Sequence, residues 1–240
     1  MNFIRQNQTL LAAIALAATL FASCQKNPEE VAALLSDSEA AELVENSVAE
    51  RSAGVTQPTV DMASLIENFI QDCGVPGDTS IQRSNTLGPV TYNASFQLGW
   101  LVNCNAANIP QDMQVTIEGN GSFGSAHWSG SETSEGDLTF TGLGLQATEY
   151  LANGSFDLEG NVTGSLRNAD PALDVQITLE LKDLRIRKTD NYITGGSGTA
   201  VLIATNGRGN TQTVNATLLF NGNGTVTVTV NGHTHTFPIQ

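Results

Sequence analysis

Alternation of apolar and polar residues governs most of this chain, from about Ser80 to Gln240. In the clearest run, over residues 173–182, five aliphatic residues alternate with polar ones. A period of two is typical of a β-strand with one buried face. The alternation resumes with opposite parity at Leu184, which predicts a β-bulge near Lys182 and Asp183. No long helical segment interrupts these runs, so we expect about nine to eleven strands.

Asn-Gly dipeptides indicate turns between the predicted strands. They include residues 120–121, 153–154, 206–207, 221–222 and 231–232. Asn-Gly between alternating runs is the strongest short signal for a β-hairpin. Because a hairpin joins strands that are neighbours in sequence, we predict antiparallel strands in meander order.

Glycines on the apolar side of a predicted strand indicate a curved sheet. Gly160 and Gly164 share a side with Phe156 and Leu158, and glycine weakens a strand unless the sheet bends there. We therefore predict an all-β fold, a curved antiparallel β-meander that forms a barrel or half-barrel. A β-sandwich is the alternative. The strands of an outer-membrane barrel also alternate apolar and polar residues. Such a barrel is disfavoured here because glycines interrupt the apolar face, and because the chain has only two Trp and three Tyr for the aromatic girdles at the membrane interfaces.

A helical period precedes the strands. Apolar residues recur at the spacing of one helix face, at Met62, Leu65, Ile66, Phe69 and Ile70. This spacing predicts an amphipathic helix that begins near residues 59–61 and packs against the sheet. It is the one helix that we expect to be packed.

Residues 24–57 are rich in Ala, Glu, Leu and Val and carry an excess of acids. These residue types favour helix, and Ser36 with its neighbours is suited to cap one. We expect an acidic, partly helical and mostly solvated tether. A coiled coil that binds a partner is the alternative, but no heptad is sustained. The predicted organisation is 1–23 as a leader, 24–57 as the tether, and 58–240 as one helix plus the β domain.

The leader contains an apolar run from Leu10 to Ala22, preceded by one positive charge at Arg5. This run is shorter than the roughly 20 residues that span a bilayer, and it has the length of the apolar region of an export signal. It ends in Leu20-Phe21-Ala22-Ser23-Cys24. Small residues before a cysteine resemble the lipobox of bacterial lipoproteins. The polar and acidic residues that follow resemble those of the Bacteroidetes group.

The resemblance implies that residues 1–23 are a signal peptide and that Cys24 is acylated as the first residue of the mature chain. It further implies attachment to the cell envelope, at the outer membrane, on its periplasmic or surface side. A plain signal peptide and an uncleaved anchoring helix are the alternatives. A multiply acylated cysteine gives stable anchoring, since each buried lipid CH₂ contributes about 0.8 kcal/mol.

Three cysteines are present, at positions 24, 73 and 104. If Cys24 carries lipid, Cys73 and Cys104 remain as a pair. In an oxidising compartment we expect them to form a disulfide; two free buried thiols are the alternative. No cysteine and histidine spacing is typical of a zinc site.

The net charge of −14 limits the partners. An acidic surface repels nucleic acid and anionic lipid headgroups. We therefore expect no nucleic-acid partner, and attachment to the membrane through the lipid alone.

Catalytic motifs are lacking in the sequence. We find no GxSxG, Walker A or dinucleotide fingerprint. A metal site from His127, His233 and His235 is disfavoured, because strand ends need not converge. Glu132 and Glu135 fall in a Ser/Gly-rich stretch that we interpret as a loop. We predict no enzyme activity, no cofactor and no metal.

The aromatic residues give a further candidate site. One interpretation is that they form a platform on which sugar rings stack, and the other is that they pack in the core or at its rim. The residues are Tyr92, Trp100, Trp128, Tyr150 and Tyr192.

The function that we expect is that of a lipid-anchored envelope lipoprotein with a non-enzymatic binding or interaction role. In one version the curved sheet holds an apolar small molecule. The alternative is a surface structural, adhesion or glycan-binding lipoprotein, whose partner is an envelope protein or glycan. The position of the Met62–Ile70 helix distinguishes them, since a helix that fills the inner side of the sheet leaves no room for a ligand.

Overall fold

An open sheet of ten antiparallel strands forms the framework. The chain is described here by a computed structural model, over residues 33–86, 90–165 and 172–239. The strands lie in chain order from β1 to β10. They are β1 Pro76–Asn85, β2 Thr91–Cys104, β3 Pro110–Gly124, β4 Trp128–Thr141, β5 Glu149–Gly164, β6 Ala172–Arg187, β7 Ile193–Asn206, β8 Thr211–Phe220, β9 Thr225–Val230 and β10 His233–Pro238.

This order confirms the predicted all-β meander and the predicted number of strands. β1 and β10 remain the two edges of the sheet, so the architecture is a half-barrel rather than a closed barrel. The sandwich alternative is wrong, because all ten strands belong to one hydrogen-bonded sheet.

The strands are longer than the Asn-Gly signals predicted. β2 to β7 have 14 to 16 residues each, against a usual five or six. Two predicted turns are wrong, since Asn120-Gly121 lies within β3 and Asn153-Gly154 within β5. Gly154 instead lies at a register shift, where the Asn153 side chain accepts a hydrogen bond from the amide of Asp183 at 2.8 Å. The other three predicted Asn-Gly turns are at strand ends.

The predicted bulge in β6 is confirmed. The register of β6 against β7 shifts between Lys182 and Arg185, and Asp183 has a φ of 49°. Leu181 and Leu184 are consequently both buried although three positions separate them. The bulge therefore keeps both halves of the strand facing the core.

Two helices pack on the inner face of the sheet, which is the side that carries Leu98, Ile117 and Leu202. Helix α1 is Asp37–Val48, a short 3₁₀ helix is Glu50–Ser52, and helix α2 is Thr56–Phe69. α2 is the predicted amphipathic helix, and its Met62 and Ile66 are fully buried. The expectation of a single packed helix is wrong.

Helix α1 corrects the prediction of a solvated tether. The predicted cap is confirmed, since the Ser36 hydroxyl accepts from the amide of Glu39 and the Glu39 carboxylate accepts from the amide of Ser36. However, every residue from Leu43 to Ala49 is buried. Residues 34–57 thus pack with the sheet as one unit. The prediction is wrong there because Glu45 and Ser47 find hydrogen-bond partners inside the fold, although the side-chain nitrogen of Asn46 is buried without one among the described residues.

Glu45 is the clearest of these partnered groups. Its carboxylate is 1% exposed and accepts two hydrogen bonds from Arg51, at 2.7 and 3.1 Å. Burial raises the pKa of Glu45, and the Arg51 guanidinium opposes that shift. The pair allows an acidic helix to be enclosed, since a buried charge is costly unless it is paired.

A disulfide joins Cys73 to Cys104 across 31 residues of sequence. It connects the segment after α2 to the end of β2, and the amide of Gly74 donates to the carbonyl of Val102 at 2.8 Å beside it. Across the described ranges, no helix is long and apolar enough to cross a membrane. Cys24, the predicted signal peptide and residues 24–32 of the predicted tether lie outside the described residues.

Candidate functional site

The inner face of the sheet is filled by the helices. The inward side chains of β2, β5 and β6, which would line a ligand cavity, are buried in one cluster with Met62 and Ile66; they include Phe96, Leu98, Phe156, Leu158, Val175 and Ile177. Between this face and the segment that joins the 3₁₀ helix to α2, the enclosed space is about 10 Å³. That is the size of one water molecule, so this face is a packed core.

The aromatic residues lie in packing contacts. Trp100 stacks on Phe69 of α2 with ring centroids 4.4 Å apart. The Tyr150 hydroxyl donates to the Glu67 carboxylate at 2.7 Å, and its ring is buried. Trp128 is 2% exposed. The remaining two, Tyr92 and Tyr192, are half-buried.

A cation lies over the Tyr150 ring. The ammonium of Lys188 lies 4.6 Å from the ring centroid and donates to the carbonyl of Gly144 at 3.0 Å. Burial raises the pKa of Tyr150 and lowers the pKa of Lys188. These contacts link α2, β5 and the β4–β5 loop, and no further chemistry is needed to explain them.

Two of the three histidines contact helix α1, whereas Nε2 of His235 is buried without a hydrogen-bond partner among the described residues. His127 Nδ1 lies 2.9 Å from a Glu42 carboxylate oxygen, and His233 Nδ1 lies 2.8 Å from one of Asp37. The bond from His233 lowers the pKa of Asp37. Among the described residues, no group of His, Cys, Asp and Glu side chains could hold a metal ion.

Glu132 and Glu135 are in strand β4 and not in a loop, which corrects the sequence-based interpretation. Their different parity places Glu132 on the inner face and Glu135 on the outer face, so the two do not share a cleft. Ser and Gly are weak strand formers, but long neighbouring strands pair along all of this segment. Pairing in the sheet therefore overrides the local preference.

Glu132 is an unusual group on the inner face. Its cross-strand neighbours are Gly121 and Gly160, and Phe123 and Pro58 help to enclose the small space beside it. The side chain is half-buried and has no hydrogen bond or ion pair among the described residues. Burial raises its pKa to about 7. In the sequence, the signal for this group is an acid at the parity of the apolar positions in an alternating stretch.

The outer face of β2 to β5 carries three shallow depressions that follow one another along the strands, and together they are called the groove. It has three successive sections with volumes of about 510, 410 and 580 Å³. The second and third sections share Asn120 and Thr133. Amide and hydroxyl groups line most of the groove; they include Asn93, Gln97, Gln114, Thr116, Ser131, Thr139 and Asn161.

The outer face of β1 to β5 has acidic side chains and no basic ones. Arg83 is the one Lys or Arg within these strands, and it faces inward to Asp61. Glu118 is directly opposite Glu135, and Glu135 is directly opposite Asp157. Like charges directly opposite each other destabilise a sheet. The groove therefore repels anions.

No protein-family model matches this chain, and neither a curated protein nor a solved structure matches it.

Proposed function

We propose that this protein is a lipid-anchored lipoprotein of the cell envelope, at the outer membrane, that binds a partner without catalysing a reaction. The observation that carries the proposal is the contrast between the two faces of the sheet. Helices fill the inner face, whereas the outer face of β2 to β5 presents an open polar groove. This contrast supports an interaction module over a carrier of an apolar small molecule.

The anchor is supported by the leader sequence. An apolar run of signal-peptide length ends in small residues before Cys24. We expect Cys24→Ala to move the protein from the membrane pellet to the soluble fraction, because the acyl chains supply the attachment. Membrane retention of the variant after a carbonate wash would contradict the anchor.

The groove is suited to an extended envelope polymer without net negative charge, either a neutral glycan or a protein segment. Its hydroxyl, amide and carboxylate groups offer hydrogen bonds along successive strands. Its acids repel polyanions such as nucleic acid. Because no aromatic ring lies on the groove floor apart from the edge of buried Trp100, we expect hydrogen bonds rather than stacking to dominate.

Binding of immobilised polymers tests this proposal. Dextran serves as the neutral probe, chitosan as the cationic probe and heparin as the anionic one. We expect retention on dextran or chitosan, none on heparin, and at least tenfold weaker retention when Ser131→Trp and Thr133→Trp together fill the third section of the groove. The matched control is Thr227→Trp on the outer face of β9, which should bind as the native chain does. Equal binding by the filled variant, or binding to heparin alone, would contradict the groove as the site.

A further inference from the structure

The edge strand β1 is open to pairing. It forms ten consecutive residue pairs with β2, without a register shift. On its other side no strand pairs with it among the described residues. In an antiparallel pair, alternate residues direct their N–H and C=O groups away from the partner strand. β1 thus presents a regular row of backbone donors and acceptors along its free side.

The other edge of the sheet is protected, which makes β1 unusual. β10 has six residues and ends at Pro238. The 3₁₀ helix covers that end, since the amide of Glu50 donates to the carbonyl of Ile239 at 3.0 Å and Arg51 donates to the carbonyl of Pro238 at 2.9 Å. Short length, proline and a covering element are the usual protections of an edge strand.

β1 lacks these three protections and has one other, the inward charge of Arg83, which is paired with Asp61. It has ten residues, its one proline is the first of them, and it contains no lysine and no bulge. Its inward Ile81 is only half-buried, as are Leu65 and Phe69 of α2 on the same side of the sheet. An added strand would cover backbone groups and these apolar side chains at the same time.

We propose that β1 pairs with β1 of a second copy of this chain, in antiparallel orientation about a two-fold axis, so that two half-barrels share one continuous sheet. An axis through Ile81 sets that residue opposite its own copy, Thr79 opposite Arg83, and Ser80 opposite Gln82. Each pair has the same parity, so the inner and outer faces continue across the junction.

The charges of β1 agree with self-pairing. Asp78 and Arg83 are its charged residues, and in this register Asp78 lies opposite Ser84 of the second copy. No like charges are opposite each other, whereas opposed like charges would destabilise the pair. A two-fold axis also makes the contact closed and self-limiting, unlike an open fibre.

Charge pairs introduced at the edge test this dimer. One variant combines Ser80→Lys with Gln82→Lys, and a second combines Ser80→Glu with Gln82→Glu; both positions are exposed on the outer face. Sedimentation velocity of the purified chain in a density-matched detergent, from about 1 to about 100 µM, should show a dimer for the native protein. Each variant alone should be a monomer, and an equimolar mixture of the two should recover the dimer.

The matched control places the same charges on the protected edge. Thr234→Lys with Thr236→Lys changes two exposed positions of β10 and should leave the dimer intact. Unchanged far-UV circular dichroism would show that the variants fold. A native monomer at the highest concentration, a dimer that survives the lysine substitutions on β1, or a mixture that stays monomeric would each overturn the proposal.

Discussion

At the scale of single residues, Glu132 is the group that most clearly departs from the pattern of the sheet. It occupies a core position between Gly121 and Gly160, where most other inward side chains are apolar. The two glycines leave room for the carboxyl group, so the polar residue is tolerated without a partner. Its protonation state should therefore couple to stability.

Glu132→Gln should change how stability depends on pH. Burial raises the folded-state pKa of Glu132 from an ordinary 4.5 to about 7, so the folded state binds this proton more tightly than the unfolded state. The resulting stabilisation is complete below about pH 4.5 and is lost as the pH rises through about 7. The variant should equal the native protein near pH 4 and exceed it by about 1–3 kcal/mol at pH 8.

Urea denaturation at several pH values measures this difference. Asp137→Asn on the exposed outer side of the same strand is the control, because its cross-strand neighbours Thr116 and Ser155 are uncharged, and its difference from the native protein should stay small at each pH. A Glu132→Gln curve parallel to the native one from pH 4 to pH 8 would rule out the buried acid as the source.

At the scale of elements, α1 is a helix packed on the inner face of the sheet and not part of a solvated tether. Leu43 is 2% exposed and belongs to the main core cluster. Leu43→Ala should lower the free energy of unfolding by about 2–5 kcal/mol, the usual cost of a core Leu→Ala change. Chemical denaturation measures it, with Ser38→Ala on the exposed side of α1 as a control expected within about 0.5 kcal/mol. A negligible effect of Leu43→Ala on the free energy of unfolding would contradict the burial of α1 and support the prediction of a solvated tether.

The burial of α1 explains why local sequence patterns failed there. Leu43, Val44 and Val48 share one apolar side, and the run Glu45-Asn46-Ser47 between them is polar. The partner of Glu45 is Arg51, and the Ser47 hydroxyl donates to the carbonyl of Leu43 at 3.0 Å. Such tertiary and backbone partners leave no periodic signal. α2 was predictable because the spacing of its apolar residues alone identifies the face that packs against the sheet.

At the scale of the whole molecule, alternation predicted the sheet but not its binding face. Period two requires a buried side and fixes register in each strand, so meander order and the β6 bulge could be derived from the sequence. The outer groove depends on which polar rows become neighbours across four strands, as Glu118, Glu135 and Asp157 do. Which polar residues become cross-strand neighbours depends on where each strand begins and ends. The Asn-Gly pairs at 120–121 and 153–154 predicted turns inside β3 and β5, so the predicted strands were too short.

The disulfide is a long-range constraint on this molecule, because it closes the loop between the end of α2 and the end of β2. Cross-linking across 31 residues restricts the unfolded chain, so replacing Cys73 and Cys104 together by Ser should lower the free energy of unfolding by about 3–4 kcal/mol. Urea denaturation measures this loss. A reductant should shift the native curve to that of the variant and leave the variant unchanged. A native curve that does not respond to reductant while its thiols become titratable would show that the bond contributes no stability.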